Sequence, residues 1–269
     1  EDPCGRRIRL GMQITAVGNA GIHLSEKGHT FLVDGIYGVN EFFHDRSAEI
    51  LKAVNGEDSL FRHVEFLLFT HRHQDHFNSL NTEKYIRCNK VKGIYLPCPS
   101  RTIDPYEDGR MIHVENTSAK VVYVGKDAPE LQVEKVTEYI RFIFFRTLHM
   151  GKDVFNIRHY SIVLTIYGNS YIFMSDAGTD YSAEAVFSLT EGTIVKGIFI
   201  NPLAYMGRGC KRWLEDISPE HVFIYHIPET ERGNHGIRGL ADSIRKKEVG
   251  KSNLHVLSEP LQSVFLNER

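Results

Sequence analysis

The sequence predicts a mixed α/β or α+β domain in which two mixed β-sheets pack together and carry helices on their outer faces. Apolar segments are mostly of strand length, strands alternate with helical patterns in two separate parts of the chain, and neither a linker nor an internal repeat interrupts them. Hydrophobic residues make up 42% of the 269 residues, which is enough for one buried core. We therefore expect residues 1–269 to form a single domain.

The N-terminal part of the chain is predicted to form short antiparallel strands followed by a helix. Strands are expected at residues 8–17, 22–24 and 30–33, because turn-forming glycine and asparagine residues separate these apolar segments. The spacing of apolar residues over 41–54 is typical of a helix, which Asn55 and the glycine after it should end.

A strand–loop–helix–strand unit follows. The nearly continuous apolar run 64–69 is typical of a strand covered on both faces, residues 79–87 of a helix, and 91–96 of the next strand. A histidine-rich segment, residues 70–76, begins directly after the first of these strands. Open α/β sheets bind ligands at such strand ends, so this segment is the first candidate for a functional site.

Strands dominate the second half of the chain, and a new alternation of strands and helices ends it. Gly168 and Asn169 separate two apolar runs as a two-residue turn, which predicts a hairpin. Strands are expected at 121–124, 131–136, 139–148, 160–167, 170–174, 194–200, 221–225 and, in broken form, 254–266, and helices at 180–189 and 237–247.

The charge balance and the apolar pattern limit the partners of the protein. Lys and Arg number 32 against 34 Asp and Glu, which gives no strong basic field to gather nucleic acid, although a local basic groove is compatible with these counts. The short basic run 245–247 is typical of a solvated helix face. No apolar run of about 18 residues occurs, so we expect a soluble protein without a membrane span. The sequence does not indicate an oligomeric state.

Two further features concern the cellular compartment. The chain starts at Glu1 without a methionine, which agrees with an exported protein whose signal has been removed; otherwise a cytoplasmic location is expected. The four cysteines are Cys4, Cys88, Cys98 and Cys210. They lack the C-x-x-C spacing of a zinc knuckle, so we expect free thiols rather than a disulfide framework.

The segment 70–76 supplies metal-binding side chains at short spacing. His71 and His73 are two residues apart, so on an extended segment both point to the same side and can bind one metal ion. Asp75 and His76 then turn toward a second position. A hydrolytic two-metal site also needs a bridging ligand and an open position for water. Three further candidates each stand at the end of a predicted strand: His149, Asp176 and His226.

This pattern resembles the metallo-β-lactamase superfamily over nearly the whole chain. The signature His-x-His-x-Asp-His matches residues 71–76, and Asp34, which ends an early strand, matches the family's first acidic position. The resemblance implies a four-layer αββα sandwich with two metal ions at the edge between its sheets. It assigns the first ion to His71, His73 and His149, the second to Asp75, His76 and His226, and the bridging position to Asp176. Asp34 is expected to orient a metal ligand through a hydrogen bond.

The resemblance also implies hydrolysis. Two divalent ions would lower the pKa of a shared water to near neutrality; zinc suits histidine and carboxylate ligands, and manganese, iron and nickel are also compatible with them. Asp75 is expected to steer this water as well as bind metal. His235 is a candidate proton donor or anion-binding residue, although its position also suits an exposed loop histidine. Asn201 and Tyr205 follow a strand at the same edge and are candidates for substrate contact.

The residues at two positions limit the range of possible substrates. True β-lactamases of the superfamily typically carry cysteine or serine at the position of Asp176, and flavin-linked di-iron members an acidic residue at that of His73, so both are disfavoured. The leading hypothesis is a hydrolase that cleaves a lactone or phosphodiester of a small molecule, resembling the ascorbate-phosphate-lactonase-like branch. The alternatives are a nuclease resembling tRNA 3′-processing enzymes, a thioesterase, and a non-catalytic metal-binding member of the family.

Overall fold

The computed structural model of the protein describes residues 11–39, 48–57, 60–101, 104–114, 119–151, 157–179, 181–230 and 236–266. The strands in these ranges are β1 (Met12–Ala16), β2 (Ile22–Glu26), β3 (His29–Val33), β4 (Phe66–Leu68), β5 (Gly93–Pro97), β6 (Lys120–Val124), β7 (Leu131–Lys135), β8 (Ile140–Arg146), β9 (Tyr160–Ile166), β10 (Asn169–Phe173), β11 (Ile194–Ile200), β12 (His221–Ile224), β13 (Leu254–Val256) and β14 (Ser263–Leu266). The helices are α1 (Ala48–Lys52), which continues into a π-helical turn (Ala53–Glu57), α2 (Ser79–Cys88), α3 (Ala183–Leu189), α4 (Pro202–Met206), α5 (Cys210–Ile217) and α6 (Ile237–Lys247).

The strands form two seven-stranded mixed sheets. The first has the order β14-β1-β2-β3-β4-β5-β6, and the second has the order β13-β12-β11-β10-β9-β8-β7. In the first sheet, the strands from β14 to β3 are antiparallel and those from β3 to β6 are parallel. In the second, β7 to β10 are antiparallel and β10 to β13 are parallel. The expectation of two mixed sheets is confirmed.

The sheets pack face to face, and helices cover their outer faces. Alternate residues of both sheets fill the space between them, with Phe31 of β3 in edge contact with Phe142 of β8 at a ring distance of 6.0 Å. Outside the first sheet, α1, the π-helical turn and α2 bury residues such as Ile50 and Ile86. Outside the second, the remaining helices bury residues such as Trp213. This is the four-layer αββα arrangement that the resemblance implied.

Two helical regions differ from the sequence-based expectation. The first helix continues past Asn55 as a π-helical turn to Glu57, because Ala53 and Val54 are buried against the first sheet and hold the backbone helical. Helices α4 and α5 were not expected, because each is short and glycines interrupt the sequence between them. None of the helices in the described part of the chain is both long and apolar enough to span a membrane.

The fold places several turns at one edge, where the parallel strands of both sheets end. Asp34 follows β3, Ser175 follows β10 and His226 follows β12. All three have left-handed backbones, with φ of 48°, 54° and 60°. Non-glycine residues adopt this conformation at a cost, and such residues cluster at functional sites. We therefore expect a functional site at this edge.

His23 is an unusual core residue on the outer face of the first sheet. Its ring is buried in edge contact with Phe61, at a centroid distance of 5.4 Å, and neither ring nitrogen has a hydrogen-bond partner among the described residues. Burial lowers the pKa of His23 from 6.5 to about 4. The native state therefore favours the neutral ring, whereas the unfolded chain binds a proton as the pH falls below about 6.5.

We expect His23 to make the fold sensitive to acid. The stability present above pH 6.5 is lost as the pH falls toward 4, and the pKa difference corresponds to about 3 kcal/mol in full. Between pH 7.5 and 4.5, the free energy of unfolding of His23→Leu should therefore rise by about 2–3 kcal/mol relative to the wild type. Urea unfolding of both proteins measures this. A difference that is independent of pH would contradict it.

Candidate metal centre

Seven side chains converge at the edge where the parallel strands end. They form two groups, and within each group the candidate ligand atoms lie within 4.8 Å of one another. We call these groups the first cluster and the second cluster. The first cluster is His71, His73, His149 and Asp176, and the second is Asp75, His76 and His226. The structure therefore brings together every residue for which the sequence predicts a direct metal contact.

Asp176 lies between the two clusters. Its Oδ2 atom is 3.4 Å from His71 Nε2, 3.0 Å from His149 Nε2 and 3.1 Å from His76 Nε2. Its Oδ1 atom is 3.0 Å from His226 Nε2. The carboxylate thus reaches histidines of both clusters at once, which is the arrangement that a bridging ligand requires.

The protonation of His71 and Asp176 suits a metal ion. His71 Nε2 is buried and has no hydrogen-bond partner among the described residues. Burial, together with His76 and His73, holds the pKa of His71 well below its ordinary value, so the ring is neutral. Burial alone would raise the pKa of Asp176, but its histidine neighbours hold it well below the ordinary value, so it is ionised. Burial alone would lower the pKa of His76 and of His149, but Asp176 raises both, so these rings would release a proton when a metal ion binds. Neutral imidazole and ionised carboxylate are the forms that bind metal, and the donor types fit a divalent cation.

Asp34 holds the imidazole of His76 from behind. Asp34 is fully buried, and its Oδ2 atom lies 3.0 Å from His76 Nδ1. Thr70 donates to the same carboxylate from its backbone nitrogen at 2.9 Å and from its hydroxyl at 2.6 Å. Because Nδ1 is occupied in this way, Nε2 of His76 faces the second cluster. This contact agrees with the orienting role predicted for Asp34.

The histidines of the first cluster are held by residues that the sequence did not reveal. Asp104 Oδ2 lies 3.0 Å from His73 Nε2, so Nδ1 is the His73 atom left to bind a metal ion. His159 is fully buried behind the cluster, where its Nε2 accepts a hydrogen bond from the backbone nitrogen of Asp176 at 3.3 Å. Neither residue belongs to a sequence motif. His159 directly precedes β9, and its position at a strand end was the one available signal.

Asp75 faces the second cluster. Its Oδ2 atom is 3.7 Å from His76 Nε2 and 3.9 Å from His226 Nε2. The side chain of Asn19, in the turn between β1 and β2, donates to Asp75 at the backbone oxygen, 3.1 Å away, and at Oδ2, 3.3 Å away. Asn19 is a further contact that the sequence did not predict, because its segment has the composition of an ordinary turn.

Asn201 and Tyr205, the residues predicted to contact substrate, make structural contacts. Asn201 is buried, accepts a hydrogen bond from the backbone nitrogen of Ala204 at 2.8 Å, and donates to the backbone oxygen of Ser175 at 2.7 Å. It thus caps α4 and ties down the turn before Asp176. Tyr205 is buried in the outer helical layer, where burial and a hydrogen bond to Glu248 raise its pKa. Their substrate-binding role stays a prediction.

His235 lies outside the described residues, and its predicted role as a proton donor or anion-binding residue also stays a prediction.

Comparison with known proteins identifies the fold. No protein-family model matches the chain, and no curated protein shows significant sequence similarity. Among solved structures, the metallo-β-lactamase fold protein YhfI from Bacillus subtilis matches with a TM-score of 0.55 and 12% identity over 95% of this chain and 99% of that one. The chain has the metallo-β-lactamase fold.

Two other structures with this similarity differ in their described activities. Human tRNase Z, short form, matches with a TM-score of 0.54 and 10% identity, covering 96% of this chain and 100% of that one. CmlA, a diiron β-hydroxylase from Streptomyces venezuelae, matches with a TM-score of 0.59 and 14% identity over 98% of this chain. The chain spans about half of CmlA, 55% of its length. These similarities define the fold and do not assign an activity.

Proposed function

We propose that the protein is a metal-dependent hydrolase that uses two divalent ions to direct water against an ester-type bond, a lactone or a phosphodiester, of a small molecule. The contacts of Asp176 with histidines of both clusters carry this proposal, because they hold two donor sets close enough to share one bridging ligand. In this proposal, His71, His73 and His149 bind the first ion, Asp75, His76 and His226 bind the second, and Asp176 bridges them.

The two ions would supply a hydroxide at near-neutral pH and stabilise the negative charge that develops during its attack. The side chains of the protein would orient the attacking water. Asp75 is turned toward the second cluster by Asn19, and we propose that its carboxylate accepts a hydrogen bond from the attacking water. Zinc is the proposed metal because the donors are imidazole and carboxylate. Iron, manganese and nickel are the competing ions, and the diiron centre named for CmlA makes iron the first to test.

The charge distribution supports a small substrate over a nucleic acid. The net charge is −2. The basic run Arg245, Lys246 and Lys247 forms the last turn of α6. That helix follows β12 and leads back to β13, which is parallel to β12, so its last turn lies at the edge opposite the metal centre. This basic run therefore lies far from the proposed reaction. A nuclease remains the second candidate function. The experiment below also tests a thioesterase activity.

The proposal is tested by measuring metal content and hydrolysis together. Protein purified without chelator should contain about two equivalents of divalent metal and should hydrolyse one of three probes: a p-nitrophenyl phosphodiester, an aryl lactone or a thioester. A chelator should remove this activity, and zinc or manganese should restore it. A short RNA with a 3′ extension tests the nuclease. Less than one equivalent of metal, or activity that survives complete chelation, would refute the two-metal hydrolase.

A matched pair of histidine variants localises the chemistry. His73→Ala should lose the hydrolytic activity and bind less metal while keeping the fold, because it removes a ligand of the first cluster. His63→Ala is the control, because His63 is exposed and is not part of either cluster. Circular dichroism checks the fold of both variants. Equal activity of His73→Ala and His63→Ala would overturn the assignment.

A further inference from the structure

We propose that Asn19 is a positioning residue that sets the affinity of the second cluster for its metal ion, independently of the first. The inference rests on the proposed two-metal function. Asn19 is absent from both ligand groups, and its effect would pass through Asp75.

The contacts of the Asn19 amide define its orientation. Nδ2 lies 3.1 Å from the backbone oxygen of Asp75 and 3.3 Å from Oδ2 of the same residue. Both atoms are acceptors, so the nitrogen rather than the oxygen of the amide must face Asp75. Asn19 is the one side chain in the described ranges that donates a hydrogen bond to this carboxylate; Nε2 of His76 and of His226 lie farther away, at 3.7 and 3.9 Å. It therefore controls the direction in which Asp75 points.

The turn between β1 and β2 is built to hold Asn19 over Asp75. The backbone nitrogen of Val17 donates to Gly21 at 2.7 Å, and that of Gly21 donates back to Gly18 at 2.9 Å. A Cβ atom at Gly21 would lie only 3.0 Å from the Cα of Gly35, so the turn also packs closely on the chain after β3. Asn19 itself has a left-handed φ of 26°, a conformation that asparagine adopts more readily than most residues.

The oxygen end of the Asn19 amide is buried as well. Asn19 is only 8% exposed, and its Oδ1 atom is buried without a hydrogen-bond partner among the described residues. A buried acceptor without a partner is unfavourable, so the amide is held in this orientation by the contacts of its nitrogen with Asp75.

Asp104 makes the corresponding contact at the first cluster and supplies a matched comparison. Its Oδ2 atom contacts His73 Nε2 at 3.0 Å, and its Oδ1 atom accepts from the backbone nitrogen of Tyr106 at 2.9 Å. Asp104→Asn keeps the second contact but turns an amide nitrogen toward His73. His73 Nε2 must then accept, the proton moves to Nδ1, and Nδ1 loses the lone pair that would bind the first ion.

The experiment is a two-site metal titration of three proteins. Metal-stripped wild type, Asn19→Gly and Asp104→Asn are titrated with zinc against a chromophoric chelator. Glycine keeps the left-handed backbone and removes the amide. Loss of such a supporting hydrogen bond typically weakens metal binding by about 10–100-fold. We expect Asn19→Gly to weaken the binding of one zinc equivalent alone. Asp104→Asn should weaken the binding of the other equivalent alone, so that the two variants affect different ions.

The possible outcomes separate the proposal from the function on which it rests. Wild type that binds fewer than two ions refutes the two-metal centre itself. If wild type binds two, then Asn19→Gly with unchanged affinities, or with both affinities lowered equally, overturns the role of Asn19. Thermal unfolding of the metal-free proteins checks folding. If Asn19→Gly does not fold, Asn19→Ser gives the same test, because its hydroxyl is too short to reach the Asp75 carboxylate.

Discussion

Replacing Asp176 with Asn should remove both metal ions from the protein and abolish hydrolysis. The two carboxylate oxygens lie 3.0–3.4 Å from histidine nitrogens of both clusters. In Asn one of these oxygens becomes an amide nitrogen, which cannot bind metal, and the negative charge that the surrounding histidines stabilise is lost. Losing a residue that only supports a ligand costs about 10–100-fold in metal affinity, so loss of a shared ligand should cost more than about 100-fold at each site.

The measurement is the metal content of Asp176→Asn after gel filtration, together with its hydrolysis of whichever probe the wild type cleaves. Asp242→Asn is the control, because Asp242 lies on α6 in an exposed contact with Arg245. The control should keep both ions and full activity. Asp176→Asn that retained two ions would show that the carboxylate does not bridge the clusters, and one retained ion would place it in a single cluster.

The sequence predicted the fold and the convergence of the ligands because both depend on local signals. Strand-length apolar runs, separated by turns, specified the strands to within a few residues, as for Ile194–Ile200. Each ligand outside the segment 70–76 stands two or three residues after a strand, and parallel strands bring their ends to one edge. Assignment of these ligands to two ions came from the resemblance to a known family, and it stays a prediction until the metal is measured.

The supporting residues could not be predicted because their partners are distant in sequence. Asn19 contacts Asp75 across 56 positions, and Asp104 contacts His73 across 31. Neither residue stands at the end of a strand. Position at a strand end does not specify side-chain direction: Asn201 follows β11 at the same edge, and its amide caps a helix. Side-chain direction depends on the turn conformation, which the sequence pattern does not specify.

Asp34→Ala should destabilise the protein by about 3–5 kcal/mol even without metal, because it removes one member of a buried charged network. Asp34 is fully buried and accepts hydrogen bonds from the backbone and hydroxyl of Thr70 and from His76 Nδ1. Alanine would leave all three donors buried without this acceptor, and each such loss is costly. Urea unfolding in the presence of a chelator measures the effect free of any stabilisation by bound metal. A change below about 1 kcal/mol would contradict this role.

Asp34→Asn separates the two tasks of this carboxylate. The retained Oδ1 can still accept from the backbone of Thr70, so the loss of stability should be smaller than that of the alanine variant. The amide nitrogen at Oδ2, however, faces His76 Nδ1 and forces that atom to accept. His76 Nε2 then carries the proton and cannot bind the second ion. A zinc titration should therefore show a lower affinity for the ion of the second cluster in a protein that remains folded. This result would separate the role of Asp34 in orienting His76 from its role in stabilising the fold.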